Sequence, residues 1–588
     1  MNITEAAAKI CQSCKKEFVI EPEDFAFYES MKVPPPTFCP HCRMMRRFLF
    51  RGEHYLNRRP DSLDGRMIFS GVPVQSPYKV YSHDYWWSDQ WSALDYGRDY
   101  DFSRSFFEQF RELLEAVPWS ANTVLGMVNS DYCDQASYCK NAYLCFDIDR
   151  IEDSSYLVNC SRSKDSYDLF GSFGLELCYE GVGINNGYRN FFSDDCDDCR
   201  DIWFSRDCVA CSDCIGCVSL KSKKYHIFNQ PYSKEEYQQR LSEYNFGSFA
   251  SVKKFMDESA EFRKHLPVKY IHGLRNTASS GDYLYNTKNA KYSFITQEAE
   301  NVKFLQLVPM KVSNAYDYTV WGESASRIYE CGTCGMQVDN LKFCFDCWPA
   351  SKDIEYSFTC RTSHDLFGCV GLRNKEYCIF NKQYSKEEYF ALKDKIIAQM
   401  KEISFTDSHG HIYRYGEFFP PEFSCLSYNQ TLAYDFFPLA KEGVLAQGYL
   451  WRDPDQKEYQ TTVTAAQLPD DIRNVDDAVL KEIIQCESCK RAYRVILPEL
   501  NFYRKIGLPL PRQCFDCRLG RRFPLVNPPV FYSRTCQCGG GKSSNGVYQN
   551  TEQHVHGAAA CMVRFETSYA PGRSEIIYCE QCYQAEVA

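Results

Sequence analysis

Residues 141–171 read NAYLCFDIDRIEDSSYLVNCSRSKDSYDLFG, and this stretch decides the fold. Short bursts of aromatic and β-branched residues alternate with Asp, Ser, Asn and Gly, the turn formers. Aromatic or cysteine anchors follow one another at Tyr143, Tyr156, Tyr167, Cys178 and Tyr188, in steps of 13, 11, 11 and 10 residues. Regular bursts of this kind predict a β-solenoid, in which each unit buries its face only by stacking on its neighbours. A larger repeat lies over the small one. YHIFNQPYSKEEY at 225–237 matches YCIFNKQYSKEEY at 377–389 in ten of thirteen positions, offset by 152, and Cys208 and Cys217 align with Cys360 and Cys369 at the same offset. The prediction is therefore a mainly β chain built on a two-part solenoid. Each half closes with a capping helix that starts at a capping box, Ser233 with Glu236 and Ser385 with Glu388.

Outside the solenoid, Cys11-x2-Cys14-x24-Cys39-x2-Cys42 recurs as Cys486-x2-Cys489-x24-Cys514-x2-Cys517. Two CxxC knuckles at this spacing offer four thiolates to one tetrahedral zinc ion. The match continues beyond the ligands: Phe27-Tyr28 with Phe502-Tyr503, Pro34 and Pro36 with Pro509 and Pro511, and Arg43, Arg46 and Arg47 with Arg518, Arg521 and Arg522. One module has been duplicated. A third cluster near the end holds Cys536, Cys538, His554, His556, Cys561, Cys579 and Cys582, from which one zinc site is expected without an assignable ligand set. GGGKSS nearby is not a phosphate loop, because Cys536 stands where the first Gly is needed.

CQSCKKEFVIEPEDFAFYESMKVPPPTFCPHCR and CESCKRAYRVILPELNFYRKIGLPLPRQCFDCR resemble a zinc-ribbon domain family of bacterial proteins, and FETSYAPGRSEIIYCEQCY is similar to a second CxxC-type ribbon of such proteins. The resemblance implies zinc ligands at the eight cysteines of the duplicated modules and no particular activity. The expected organisation is ribbon 1 (1–58), an aromatic linker with a helix (59–127), solenoid half 1 (128–265), solenoid half 2 (266–402), a connector (403–482), ribbon 2 (483–530) and ribbon 3 (531–588). The linker helix is read from SRSFFEQFRELLEAV, and a second, short amphipathic helix from DDIRNVDDAVLKEII. Trp86, Trp87 and Trp91 are read as packing residues in preference to a stacking platform for bases or sugars.

The solenoid cysteines leave two readings open. With a coil of about 12 residues, Cys331, Cys334, Cys344 and Cys347 would stack at about 4.8 Å and could hold a metal. With a coil of two units, which the aromatic anchors favour, they form ladders of buried thiols.

The chain has 588 residues, 32 of them Cys, with 15% aromatic residues and a net charge of −10, which speaks against a cation-coated nucleic-acid binder. No stretch resembles a membrane span, and MNITEAAAKICQSC lacks a basic and then apolar leader, so a reducing cytoplasmic address is expected. There is no HExxH, no GxSxG and no dinucleotide GxGxxG. The expected function is a non-catalytic zinc-binding interaction protein. Its ribbons would meet nucleic acid or a ribonucleoprotein through Arg43, Arg46, Arg47, Arg51, Arg518, Arg521 and Arg522, unless these pair with the solenoid's own carboxylates. A protein-assembly scaffold working through the solenoid wall is the second reading. An enzyme acting on a glycan or small molecule in a solenoid groove is the third; it requires carboxylates lined up away from turn corners.

Overall fold

The computed structural model describes residues 5–453 and 459–587. The first four residues of the 1–58 segment, residues 454–458 of the connector and the last residue of the 531–588 segment lie outside the described residues. The chain forms two compact units, each drawn from distant parts of the sequence: 1–123 with 271–452, and 124–270 with 453–588. Each unit holds one β-solenoid, one copy of the duplicated four-cysteine module and part of the connector.

In the second unit the solenoid is a stack of parallel strands, Asp134–Ser137, Phe146–Glu152, Ser155–Lys164, Tyr167–Phe173 and onwards, each paired to residues 12 further along. From residue 135 to residue 228 every third residue has a left-handed backbone near φ +50° to +65°. Three residues per side and four corners per coil give the 12-residue turn. Left-handed residues are strained unless they are Gly, or Asn and Asp, whose short side chains tolerate them. That is why Asn141, Asp153, Asp165, Gly171, Gly174, Gly183, Asp195, Asp201 and Asp207 stand at these corners. Corner side chains also bond along the stack: Asn129 Nδ2 donates to Asn141 Oδ1 (2.8 Å), and Asn141 Nδ2 to Asp153 Oδ1 (2.7 Å).

The same triplet decides what fills the tube. Cys133, Ala136, Cys139, Ala142, Cys145, Ile148 and Ile151, then Cys196, Cys199, Ile202, Cys208, Cys211, Cys214 and Cys217, all fall on one position of the triplet and form two inner clusters. Only small or aliphatic side chains fit so narrow a lumen. Serines at the same position knit it together: Ser154 Oγ donates to Glu152 O (2.7 Å) and accepts from Ser166 N, one coil on (3.0 Å).

The wide coil expected from the aromatic anchors therefore does not form. Tyr156, Tyr167, Tyr179, Phe191 and Phe204 lie outside the tube, in a separate core shared with Leu500, Phe502 and Tyr503 of the four-cysteine module. The spacings of 10 to 13 arose because the anchors sit on different positions of the triplet.

The first unit repeats the plan with a first coil of 11 residues and then coils of 12, lengthened to 13 between Ala299 and Phe358 and returning to 12. Both solenoids end alike. A short antiparallel return, Gln230–Pro231 or Lys382–Gln383, follows the last coil. An asparagine amide then stands in for the coil that is missing: Asn229 accepts from Val218 N and donates to Val218 O (2.9 Å each), and Asn381 does the same for Val370 (2.8 Å each). The predicted cap helices follow, Lys234–Ser242 and Lys386–Glu402, each with the Ser–Glu capping box closed in both directions.

The linker helix forms as Phe106–Ala116, capped by Ser105 with Glu108. Trp86 is fully buried and donates its indole N–H to Pro118 O (3.0 Å). The helix expected over DDIRNVDDAVLKEII does not form. The segment makes two 3-10 turns, Ile472–Asn474 and Asp477–Lys481, because Asp471 and Asp476 each accept a backbone N–H two residues on and start a turn of their own.

Candidate metal centres

Each duplicated module is a hairpin followed by two helices: Ala7–Ile10 with Glu17–Ile20, then Pro22–Ser30 and Pro40–Phe48; or Ile484–Gln485 with Ala492–Tyr493, then Leu497–Ile506 and Phe515–Arg522. The tight turn of the hairpin carries the first CxxC. The third cysteine, Cys39 or Cys514, is the N-cap of the last helix, whose first turn carries the fourth. In both modules all four sulfurs lie within 4.8 Å of one another. A tetrahedron with metal–sulfur bonds of about 2.3 Å has edges of about 3.8 Å. Cys14 and Cys39 are 3.7 Å apart and Cys489 and Cys514 3.6 Å, so a four-coordinate ion fits. A backbone N–H supports the first ligand in each: Cys39 N donates to Cys11 Sγ and Cys514 N to Cys486 Sγ (3.3 Å each). Burial alone would raise the Cys489 thiol, but Arg491, whose Nε lies 3.4 Å from its sulfur, helps hold it down to about 7, in the thiolate form a metal needs.

The C-terminal cluster builds the same motif from a different chain path. Cys536, Cys561, Cys579 and Cys582 form a group with all sulfurs within 4.8 Å. Cys561 and Cys579 are 3.9 Å apart, and Cys579 N donates to Cys536 Sγ (3.2 Å), as in the other two modules. Cys538 is directed elsewhere. It groups with His554, His556 and, again, Cys582. Sequence reasoning could not divide the CxC pair, because strand Tyr532–Thr535 ends just before it and the backbone turn that separates the two sulfurs has no signature of its own.

Asp407, His409 and His411 form a further group that the sequence reading missed, although D-x-H-x-H was its signal. Asp407 accepts from the N–H groups of His409 (2.9 Å) and His411 (2.8 Å) and from Tyr413 OH (3.1 Å), so its carboxylate already organises the turn.

Cys331, Cys334, Cys344 and Cys347 line the lumen of the first unit's solenoid. Their thiols meet backbone carbonyls, Cys331 at Ile328 O (3.3 Å), Cys334 at Gly332 O (3.4 Å), Cys344 at Ile354 O (3.2 Å) and Cys347 at Ser357 O (3.4 Å). They are not among the described groups whose ligand atoms all lie within 4.8 Å. In the other solenoid, burial pushes the Cys160 and Cys178 thiols up to about 12. Such thiols are core groups rather than nucleophiles.

The arginines read as phosphate contacts are placed differently. Arg43, Arg46 and Arg47 fall on one face of helix Pro40–Phe48 and, with Arg51, are at most 4% exposed. Arg43 forks onto Asp317 (3.0 and 2.9 Å), Arg47 reaches both Asp317 (3.3 Å) and Glu330 (3.0 Å), and Arg46 pairs with Glu330 and with Glu417 (3.1 Å). Arg51 pairs with Glu53 (2.7 Å). In the other unit Arg518 and Arg522, equally buried, meet Asp168 (3.0 and 3.1 Å), and Arg522 and Arg521 meet Glu180 (3.3 and 2.8 Å). Only Arg521 keeps an exposed side chain, and it too is paired. Six of these seven guanidinium groups are thus buried in ion pairs within the fold, and that of Arg521 is half-exposed and paired with Glu180.

The two docking sites are copies of one another. Tyr167-Asp168 and Tyr179-Glu180 sit on successive coils, as do Tyr316-Asp317 and Tyr329-Glu330, and all four carboxylates are at left-handed corners. Phe502 stacks on Tyr167 (ring centroids 4.1 Å) and Tyr503 meets Tyr179 edge-on (5.4 Å); Phe27 stacks on Tyr316 (3.8 Å) and Tyr28 meets Tyr329 edge-on (5.1 Å). The aromatic pair and the arginines shared by both modules are thus a single docking code. No described helix is long and apolar enough to cross a membrane. No protein-family model matches the chain, and no curated protein matches it.

Proposed function

We propose that this protein is a non-catalytic, zinc-dependent scaffold for protein assembly, whose zinc ribbons lock the coils of its solenoids. The observation that carries this reading is the burial of the ribbon arginines in solenoid carboxylates, repeated in both units. It favours ribbons that act as internal staples over ribbons that grip phosphates. Zinc is the metal the sites suit best, since four-thiolate tetrahedra that admit no water are the usual structural zinc site. Asp153, Asp165, Asp195, Asp201 and Asp207 stand at left-handed corners, where backbone geometry explains them without a catalytic role.

One further feature favours assembly. The last coils are closed by Asn229 and Asn381, whereas the first coils of the second unit's solenoid expose Leu125, Val128, Tyr132 and Tyr138, between 39% and 57%. Uncapped solenoid edges invite pairing.

The test is crosslinking of the full-length protein in its native cell, reading nucleic acid and protein from the same sample. Protein crosslinks mapping to the solenoids, with nucleic acid at background, are expected. Enriched RNA or DNA joined to peptides around Arg43–Arg51 or Arg518–Arg522 would overturn the reading.

A further inference from the structure

Among the described residues, two of the candidate metal groups share one residue. Cys582 Sγ lies within 4.8 Å of Cys536, Cys561 and Cys579 on one side and of Cys538, His554 and His556 on the other. We propose that the C-terminal module holds a two-metal centre, one ion bound by Cys536, Cys561, Cys579 and Cys582 and a second by Cys538, His554, His556 and the same Cys582, whose thiolate bridges them.

Both histidines are already set in the tautomer that such a site needs. His554 is 5% exposed, and its Nε2 faces Glu586 Oε1 at 2.8 Å. Glu586 is fully buried at its carboxylate and accepts as well from Thr551 N (2.9 Å), Thr551 Oγ1 (2.8 Å) and Tyr548 OH (2.8 Å). A carboxylate so loaded with donors holds the His554 proton on Nε2. Nδ1, buried and without a hydrogen-bond partner, is left as a free lone pair. A buried nitrogen in that state is costly unless something binds it. A carboxylate behind a histidine is also the usual outer support of a metal ligand. His556 is fixed from the other edge: its Nδ1 meets Ala559 O at 2.7 Å, so Nε2 is the free nitrogen, and it lies 3.3 Å from Cys582 Sγ. With metal–nitrogen bonds of about 2.0 Å and metal–sulfur bonds of about 2.3 Å, two ligands of one tetrahedral ion are about 3.5 Å apart. Cys538 Sγ accepts from Asn550 Nδ2 (3.2 Å), the kind of donor that steadies a thiolate.

Charge favours two ions over one. Five thiolates and two neutral imidazoles balance two divalent ions to within one charge. A single ion in the four-cysteine group would leave the Cys538 sulfur and the unpartnered Nδ1 of His554 buried beside it without a cation. A thiolate bridge sets the ions on the order of 3.5–4 Å apart, the usual separation in two-metal sites.

This inference rests on the reading of the duplicated modules as zinc sites, and the two fail differently. Metal content of the purified full-length protein is expected at about four ions per chain, one from each duplicated module and two from the C-terminal centre. The Cys11→Ser and Cys486→Ser variants should each lose one; no loss in either would sink the zinc-module reading. His556→Ala should also lose one ion while keeping the four-cysteine site. Because such variants could misfold, the parent protein exchanged with cadmium-113 supplies the decisive readout. Four resonances are expected, two of them split by coupling to each other through the Cys582 sulfur. Three ions in the parent, with His556→Ala unchanged, would overturn the second ion. Four ions without mutual coupling would overturn the bridge.

Discussion

Every third residue from 135 to 228, and a less regular series in the other solenoid, adopts a backbone that L-residues avoid, so the tube exists only because other contacts outweigh the strain. The buried arginines are prominent among them, and they lie at the corners where strain and charge coincide. Breaking a buried ion pair by truncating one partner costs about 3–5 kcal/mol, because the other charge is left stranded. Arg522→Ala and Arg47→Ala leave each carboxylate a second arginine (Arg518 and Arg521, or Arg43 and Arg46), so each is expected to lower the unfolding free energy of its unit by less than that, about 1–3 kcal/mol, read from denaturant midpoints, whereas Arg521→Ala should change it by less than about 1 kcal/mol.

A second residue-scale expectation concerns acid. Burial would raise Glu355, but Lys393 (2.7 Å) and Lys342 (3.2 Å) outweigh it and hold the carboxyl down to about 2. A carboxyl whose folded pKa lies below its unfolded value stabilises while ionised. Its contribution, about 3 kcal/mol, is complete above about pH 5 and is lost as pH falls towards 2. The stability difference between the parent and Glu355→Gln should accordingly shrink across that window. Loss of metal in acid affects both proteins and cancels in the difference.

At the scale of elements, the asparagine that closes each solenoid replaces a strand with one side chain. Asn229→Leu removes two hydrogen bonds and Asn381→Leu three, the third to Ala93 O, and each leaves the N–H and carbonyl of Val218 or Val370 unpaired, at a cost of about 1–3 kcal/mol. Hydrogen exchange at those two amides should accelerate more than at amides in the middle of the same solenoid. The cap helices were legible in the sequence because a capping box is a local code. The helix expected at 470–484 does not form because Asp471 and Asp476 compete for backbone donors within a pattern that otherwise looks amphipathic. The solenoid itself was legible from its turn residues, but its coil width was not. The 12-residue period is carried by the small lumen residues, Cys, Ser, Ala and Gly, whereas the aromatic residues that attract the eye pack outside the tube.

At the scale of the molecule, the chain is a duplication whose parts pair out of order. The first module docks on the later solenoid and the second module on the earlier one. The matched Phe-Tyr pairs and arginines were visible in the sequence; their receptors were not, because Tyr-Asp and Tyr-Glu recur only once the coils are stacked. The same lack of tertiary register concealed the division of the C-terminal ligands between two groups sharing Cys582. Metal-bound modules are expected to hold the solenoids rigid through these docking sites, and chelation tests this. Hydrogen exchange should be compared between the metal-loaded protein and protein treated with a strong chelator. The coils around Tyr167–Glu180 and Tyr316–Glu330 should lose protection, while the closed ends near Lys224–Ile227 and Glu376–Ile379 retain most of theirs. Unchanged protection at the docking coils after the metal has left would contradict this expectation.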